Sequence, residues 1–130
     1  MKKPNTRLEF IELIDDSINW NGYNANLNFI DTSLITDMSH LFENSRFNGD
    51  IGEWNTSNVR EMKYMFYNSG FNGDISQWDT SSVIDMTGMF EGSIFTGDIG
   101  NWNTGNVKYM SYMFALSTTF NGDISKSDVS

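Results

Sequence analysis

The sequence predicts a repeat solenoid built from 24-residue rungs. Each rung would supply one short parallel β-strand and one short helical or 3₁₀ segment, and an α-helical cap would close the N-terminal end. Three observations point there. The line "FNGDIGEWNTSNVREMKYMF" from Phe47 returns as "FNGDISQWDTSSVIDMTGMF" from Phe71 and as "FTGDIGNWNTGNVKYMSYMF" from Phe95. The positions that stay fixed are large and apolar, while their neighbours change freely. The first 22 residues carry no copy of the line, but place apolar residues every three to four positions. One such unit cannot bury its own side chains, so copies must stack and share a core.

In chain order, residues Asn5–Asn19 read as an amphipathic helix. Leu8, Ile11 and Ile18 form one face with Phe10 and Ile14 beside it, interleaved with Glu9, Glu12, Asp15 and Asp16. A degenerate first rung starts at Tyr23, with Leu27, Ile30, Ile35, Met38, Leu41 and Phe42 at the apolar positions. Rungs follow at 47–70, 71–94 and 95–119, and a stub begins at Phe120. The expected organisation is a single domain over 1–130: a helical cap at 1–22, four repeats of 24–25 residues over 23–119, and a partial repeat at 120–130. Within a rung, Asp50–Trp54 reads as the strand and Val59, Met62, Met65 and Phe66 as the helical or 3₁₀ stretch. Gly49, Gly73, Gly97 and Gly122 suit turns of positive φ. The fixed Thr32, Thr56, Thr80 and Thr104, each after an Asp or Asn, suit caps and turns that satisfy one another from rung to rung. Trp54, Trp78 and Trp102 read as core or rung-edge packing rather than a platform for sugars.

Composition narrows function. Net charge is −9, which repels a phosphate backbone, so nucleic acid is not an expected partner. The chain has no cysteine, which removes disulfides, thiolate zinc sites, cysteine nucleophiles and a lipid-anchor cysteine. No apolar run approaches the roughly 20 residues that span a membrane, and no apolar stretch follows the two lysines of "MKKPNTRLEF", so that segment does not read as a signal peptide. His40 is the only histidine, in a column otherwise filled by Tyr or Gly, and reads as a solvent-facing side chain. No enzyme and no cofactor are expected.

The repeat "FNGDISQWDTSSVIDMTGMF", together with "LNFIDTSLITDMSHLF" before it, resembles the repeat of about 25 residues of the BspA-like leucine-rich-repeat bacterial surface proteins and of the mycoplasma lipoproteins grouped as a domain of unknown function. The resemblance covers roughly residues 5–130. It implies a leucine-rich-repeat-like, right-handed solenoid, a cell-surface or secreted setting, and a role in adhesion or protein interaction, with no catalytic residues to carry over.

The expected function is therefore a non-catalytic interaction or adhesion module that binds a protein or glycan partner on one face. The variable residues Glu53, Gln77 and Asn101, with Asp50, Asp74 and Asp98 beside them, form the expected contact surface. Two alternatives accompany it. One is a structural spacer or self-stacking array that associates end to end near Ile124, where Ser127 replaces the tryptophan. The other is a calcium-binding array through the Asn-Gly-Asp ladder of Asp50, Asp74, Asp98 and Asp123, since calcium takes six to eight oxygen ligands.

Overall fold

A computed structural model describes residues 2–115. The partial repeat after Phe120, with Gly122, Asp123, Ile124 and Ser127, lies outside the described residues.

The first element, helix α1, runs Arg7–Asn21. Thr6 caps it in an extended conformation, its hydroxyl accepting from the Glu9 N–H at 3.1 Å. Gly22, at φ 83°, ends it, donating its N–H to the Ile18 carbonyl at 2.7 Å. The buried face differs from the one expected. Phe10 and Ile14 are buried, with Leu13 and Ile18 packed beside them, while Leu8 stays 66% exposed. Docking geometry decides this. The Phe10 ring sits 5.2 Å from Trp54, and the Arg7 guanidinium reaches the carbonyls of Asp37 and Ser39, which turns Leu8 outward.

After α1 the chain winds as stacked coils, at 23–46, 47–70, 71–94 and from 95. Their side chains meet copy on copy. Phe42, Phe66, Phe90 and Phe114 stack with ring centroids 5.5–5.8 Å apart. Phe47, Phe71 and Phe95 stack at 6.2 Å, and Trp54, Trp78 and Trp102 at 6.3 and 6.4 Å. The two phenylalanine columns touch where one coil leads into the next, as in Phe66–Phe71 at 4.7 Å. Methionines 38, 62, 86, 65 and 89 and Val59 and Val83 complete one continuous core. Methionine fits here because its flexible thioether fills gaps between stacked rings.

The backbone corrects the expected fold class. Among the described residues there is one helix and no β-strand; β-type pairing between coils is confined to isolated parallel bridges, Asn26 to Asp50 and along Asp37, Glu61, Asp85 and Tyr109. The expected strand Asp50–Trp54 is a turn, with the Trp54 N–H donating to the Ile51 carbonyl at 3.2 Å. The expected helical or 3₁₀ stretch is also a series of turns, as in Met65 to Met62 and Tyr67 to Tyr64. So this is neither a strand-rich repeat solenoid nor a leucine-rich-repeat arrangement.

Over Asp50–Trp54 the cause is the turn that Asp50 Oδ1 closes on the Gly52 N–H; in the second half of each coil it is a left-handed residue at regular intervals. Positive φ occurs at His40, Tyr64, Gly88 and Tyr112, and again at Asn44, Asn68 and Gly92. A left-handed residue reverses the local winding, so neither an extended ladder nor a helix can propagate. Between those points alternate N–H groups face the next coil: Met38, His40, Phe42 and Asn44 donate to the carbonyls of Glu61, Lys63, Met65 and Tyr67 at 2.9–3.0 Å. The same four bonds recur one coil later from Met62, Tyr64, Phe66 and Asn68. The backbone groups of this non-regular chain are thereby satisfied from coil to coil.

Two expectations about fixed residues also change. The threonines do not bond each other: Thr32, Thr56 and Thr80 donate their hydroxyls to the carbonyls of Asn55, Asp79 and Asn103 in the following coil at 2.8–2.9 Å. Gly49, Gly73 and Gly97 do not have positive φ. Their missing side chain instead admits a close neighbour.

Candidate functional site

Side-chain carboxylates and amides build the outer turns of the stack. Asp50, Asp74 and Asp98 accept, through Oδ1, the N–H groups of Gly52, Ser76 and Gly100 at 2.8–3.0 Å. Asn26 makes the same bond in coil 1. A second column repeats the device: Asp31, Asn55, Asp79 and Asn103 each cap a backbone N–H two residues on. Both columns hold aspartate at some coils and asparagine at others because the turn needs only the Oδ1 acceptor.

These bonds set the acidity of the carboxyls. The Ser81 hydroxyl, and then its N–H, hold Asp79 below the ordinary aspartate value; Ser76 does the same for Asp74. Backbone N–H groups of Gly52 and Ser33 lead for Asp50 and Asp31. Asp50 also feels the charge of Asp74 one coil away, which opposes the lowering but does not outweigh it. A carboxyl that is more acidic when folded favours the folded state while ionised. Its contribution is complete above the unfolded value, near pH 4, and is lost as the pH falls through the lower folded value. All four groups are solvent-accessible, so each contributes little. Changing Asp31, Asp50, Asp74 and Asp79 together to asparagine should leave the melting temperature at pH 7 close to that of the parent and flatten its fall between pH 4 and pH 2. Thermal melts across that range check this; an unchanged acid slope would refute it.

The expected contact residues are brought together. Glu53, Gln77 and Asn101 are exposed and lie on the same turn of successive coils as Asp50, Asp74 and Asp98, three residues before them in sequence. The Glu53 N–H is held by Asn28 Oδ1 at 3.0 Å. The result is an acidic, polar stripe crossing three coils. Its first three aspartates, Asp50, Asp74 and Asp98, spend Oδ1 on turn closure, and no group of three or more His, Cys, Asp or Glu positioned for a metal ion occurs among the described residues. Asp123, the fourth candidate ligand, lies outside them.

The other outward columns differ. His40 Nδ1 lies 3.2 Å from Glu43 Oε2, and its ring stacks on Tyr64 at 5.4 Å. The tryptophans face inward: Nε1 of Trp54, Trp78 and Trp102 donates to the carbonyls of Leu27, Ile51 and Ile75 at 2.9–3.0 Å. A further feature was not singled out from the sequence. Arg60 and Lys108, 48 positions apart, line a shallow groove across coils 2 to 4, with Ile84 between them. The signal was present in the variable column Thr36, Arg60, Ile84 and Lys108, the outward column holding two of the chain's eight basic residues.

Among the described residues no helix is long and apolar enough to cross a membrane. A family model described as "Mycoplasma protein of unknown function, DUF285" matches residues 15–125. No curated protein and no solved structure matches the chain.

Proposed function

The chain belongs to the Mycoplasma protein family of unknown function DUF285, and from that premise we propose that it is a non-catalytic interaction module of a bacterial surface or secreted protein, engaging a protein or glycan through its outward columns. One observation carries this reading: the large apolar residues that stay fixed between coils are buried, while the variable Glu53, Gln77 and Asn101 are exposed. Trp54, Val59, Met62 and Phe66 are 0–4% exposed, and so are their copies in coil 3. Glu53, Gln77 and Asn101 are exposed and differ at every coil. Such a scaffold keeps its shape while its surface chemistry changes cheaply. The resemblance of the repeat to BspA-like surface proteins supports the cell-surface setting, although the backbone is not theirs. His40 supports a non-catalytic role, because it is engaged with Glu43 and Tyr64 on an open surface rather than with a nucleophile.

The test is capture. Immobilised protein is exposed to host-cell surface extract and to mycoplasma envelope extract, alongside a Glu53→Lys/Asp74→Lys variant. Both positions are exposed, but Asp74 Oδ1 also closes the turn on the Ser76 N–H, so the variant should lose about 1 kcal/mol of stability and stay folded. The expected result is a defined ligand retained by the parent; its loss in the variant places the contact on the acidic stripe. Retention of nothing but the protein itself, with a concentration-dependent series of sizes in solution, would overturn the reading in favour of self-stacking.

A further inference from the structure

The groove of Arg60 and Lys108 stands out against the rest of the surface. The chain has 17 Asp and Glu and 8 Lys and Arg, yet no carboxylate lines this groove. It comprises two adjoining depressions of about 300 and 340 Å³ that share Arg60 and Ser82. Among the described residues, neither Arg60 nor Lys108 forms an ion pair. Both side chains are exposed, and their backbones are fixed: the Arg60 N–H donates to Thr36, its carbonyl accepts from Ile84, and the Lys108 N–H donates to Ile84, all at 2.7–2.8 Å.

The lining fits sugar chemistry. Asn58 and Asn106 each tie their amide nitrogen to a backbone carbonyl one coil back, of Ser33 and Ser81 at 2.8 and 2.7 Å, which leaves Oδ1 as an oriented acceptor. The Ser82 hydroxyl adds a donor and acceptor. Along the column the order is cation, half-buried isoleucine, cation, spanning two coil spacings, roughly 10 Å at ~4.8 Å per coil. A polysaccharide with one anion per disaccharide repeats charge, neutral ring and charge over a comparable length. Its anions meet the cations, its ring C–H face packs on Ile84, and its hydroxyls meet Asn58, Ser82 and Asn106. An extended peptide adding to a sheet would need a free strand edge, and no β-strand occurs among the described residues. A nucleic acid carries more charge than two cations balance, on a chain of net charge −9.

We propose that this groove binds an anionic polysaccharide carrying one negative charge per disaccharide. The inference rests on the interaction-module reading and adds a second face and a ligand class to it. The experiment titrates the whole chain with a hyaluronan oligosaccharide, with neutral dextran, heparin and poly-glutamate in parallel arms, against Arg60→Glu/Lys108→Glu and Glu53→Lys/Asp74→Lys variants, each shown by its melting curve to be folded at the assay temperature. A milder Arg60→Gln/Lys108→Gln variant serves if the charge reversal perturbs folding. The expected result is salt-sensitive hyaluronan binding, weakened roughly tenfold or more in the groove variants and kept or strengthened in the stripe variant. Heparin carries several charges per disaccharide, so a preference for heparin over hyaluronan with the same dependence on Arg60 and Lys108 overturns the one-charge-per-disaccharide assignment. Binding of poly-glutamate in preference to the polysaccharides overturns the proposal in favour of an acidic peptide. Absence of binding in every arm, or binding indifferent to Arg60 and Lys108, also overturns it. If extract capture still depends on Glu53 and Asp74 in that case, the interaction-module reading stands and only the groove assignment falls.

Discussion

Phe66→Ala should lower the free energy of unfolding by about 3–5 kcal/mol, a large fraction of the stability of a domain this size. Phe66 is fully buried and touches the rings of Phe42, Phe71, Trp78 and Phe90 at 4.7–6.3 Å. Two of these partners belong to its own column, one coil before and one after, so truncation opens a void in the middle of the stack. The surroundings cannot close it. Phe66 also donates its N–H to Met89, and its neighbours Tyr64 and Asn68 are fixed by bonds to Thr87 and Glu91. Those inter-coil bonds hold the spacing at which the missing ring would have fitted. Since each coil contacts only its neighbours, the same change at Phe114, which is half-buried, should cost clearly less. Urea unfolding followed by tryptophan fluorescence measures both, since three of the four tryptophans lie in the adjoining column. Equal losses at the two positions would mean that the phenylalanine column is not the coupling element between coils.

What the sequence made legible was the composition of the core. The columns of Phe66, Trp78, Met86 and Val83 were readable because four copies within one chain separate what must fit from what need not. The backbone was not readable, for a specific reason. Left-handed conformation is usually announced by glycine or asparagine, and in one column Asn44, Asn68 and Gly92 do so. In the other, the same conformation is carried by His40, Tyr64 and Tyr112, with only Gly88 as a hint. A histidine and two tyrosines at positive φ look like ordinary surface residues, so the spacing of Val59, Met62, Met65 and Phe66 reads as a helical period. The acidic stripe was visible because its members recur at one phase of the repeat. The groove was not, because its identity depends on two cations 48 positions apart and on the absence of carboxylates around them, which only stacking brings to one place. The face of α1 was misjudged because periodicity gives an arc of the helix, and the docking of Phe10 on Trp54 chooses which part of that arc is covered.

Gly49 illustrates the gap between a correct residue and its wrong reason, and it gives the second large effect. Positive φ would make asparagine an acceptable substitute; Gly49 lacks it. A Cβ at Gly49 would lie 1.8 Å from the Ala25 carbonyl oxygen, and a backbone atom cannot turn aside. Coil 2 would have to lift from coil 1, loosening Asn48 N–H to Tyr23 at 2.8 Å and Asp50 N–H to Ala25 at 3.3 Å. Overpacking together with two weakened bonds should cost about 3 kcal/mol or more in Gly49→Ala, and Gly49→Asn should be no better. At Gly73 and Gly97 the nearest atoms are the rings of Phe71 and Phe95, at 2.8 and 2.5 Å. Those contacts are with side chains rather than backbone, but the rings are fully buried in the stack, so alanine there should cost less than at Gly49 and still destabilise. At Gly70 nothing lies closer than 3.6 Å and φ is not positive. Gly70→Ala should therefore be neutral or stabilise by up to about 1 kcal/mol through the lower entropy of its unfolded chain. Thermal melts of the five variants give the order directly. If Gly49→Asn matches the parent while Gly49→Ala does not, backbone conformation governs the column after all. If the order runs Gly49, then Gly97 and Gly73, then Gly70, the column is glycine because one coil lies against the backbone of the one before it.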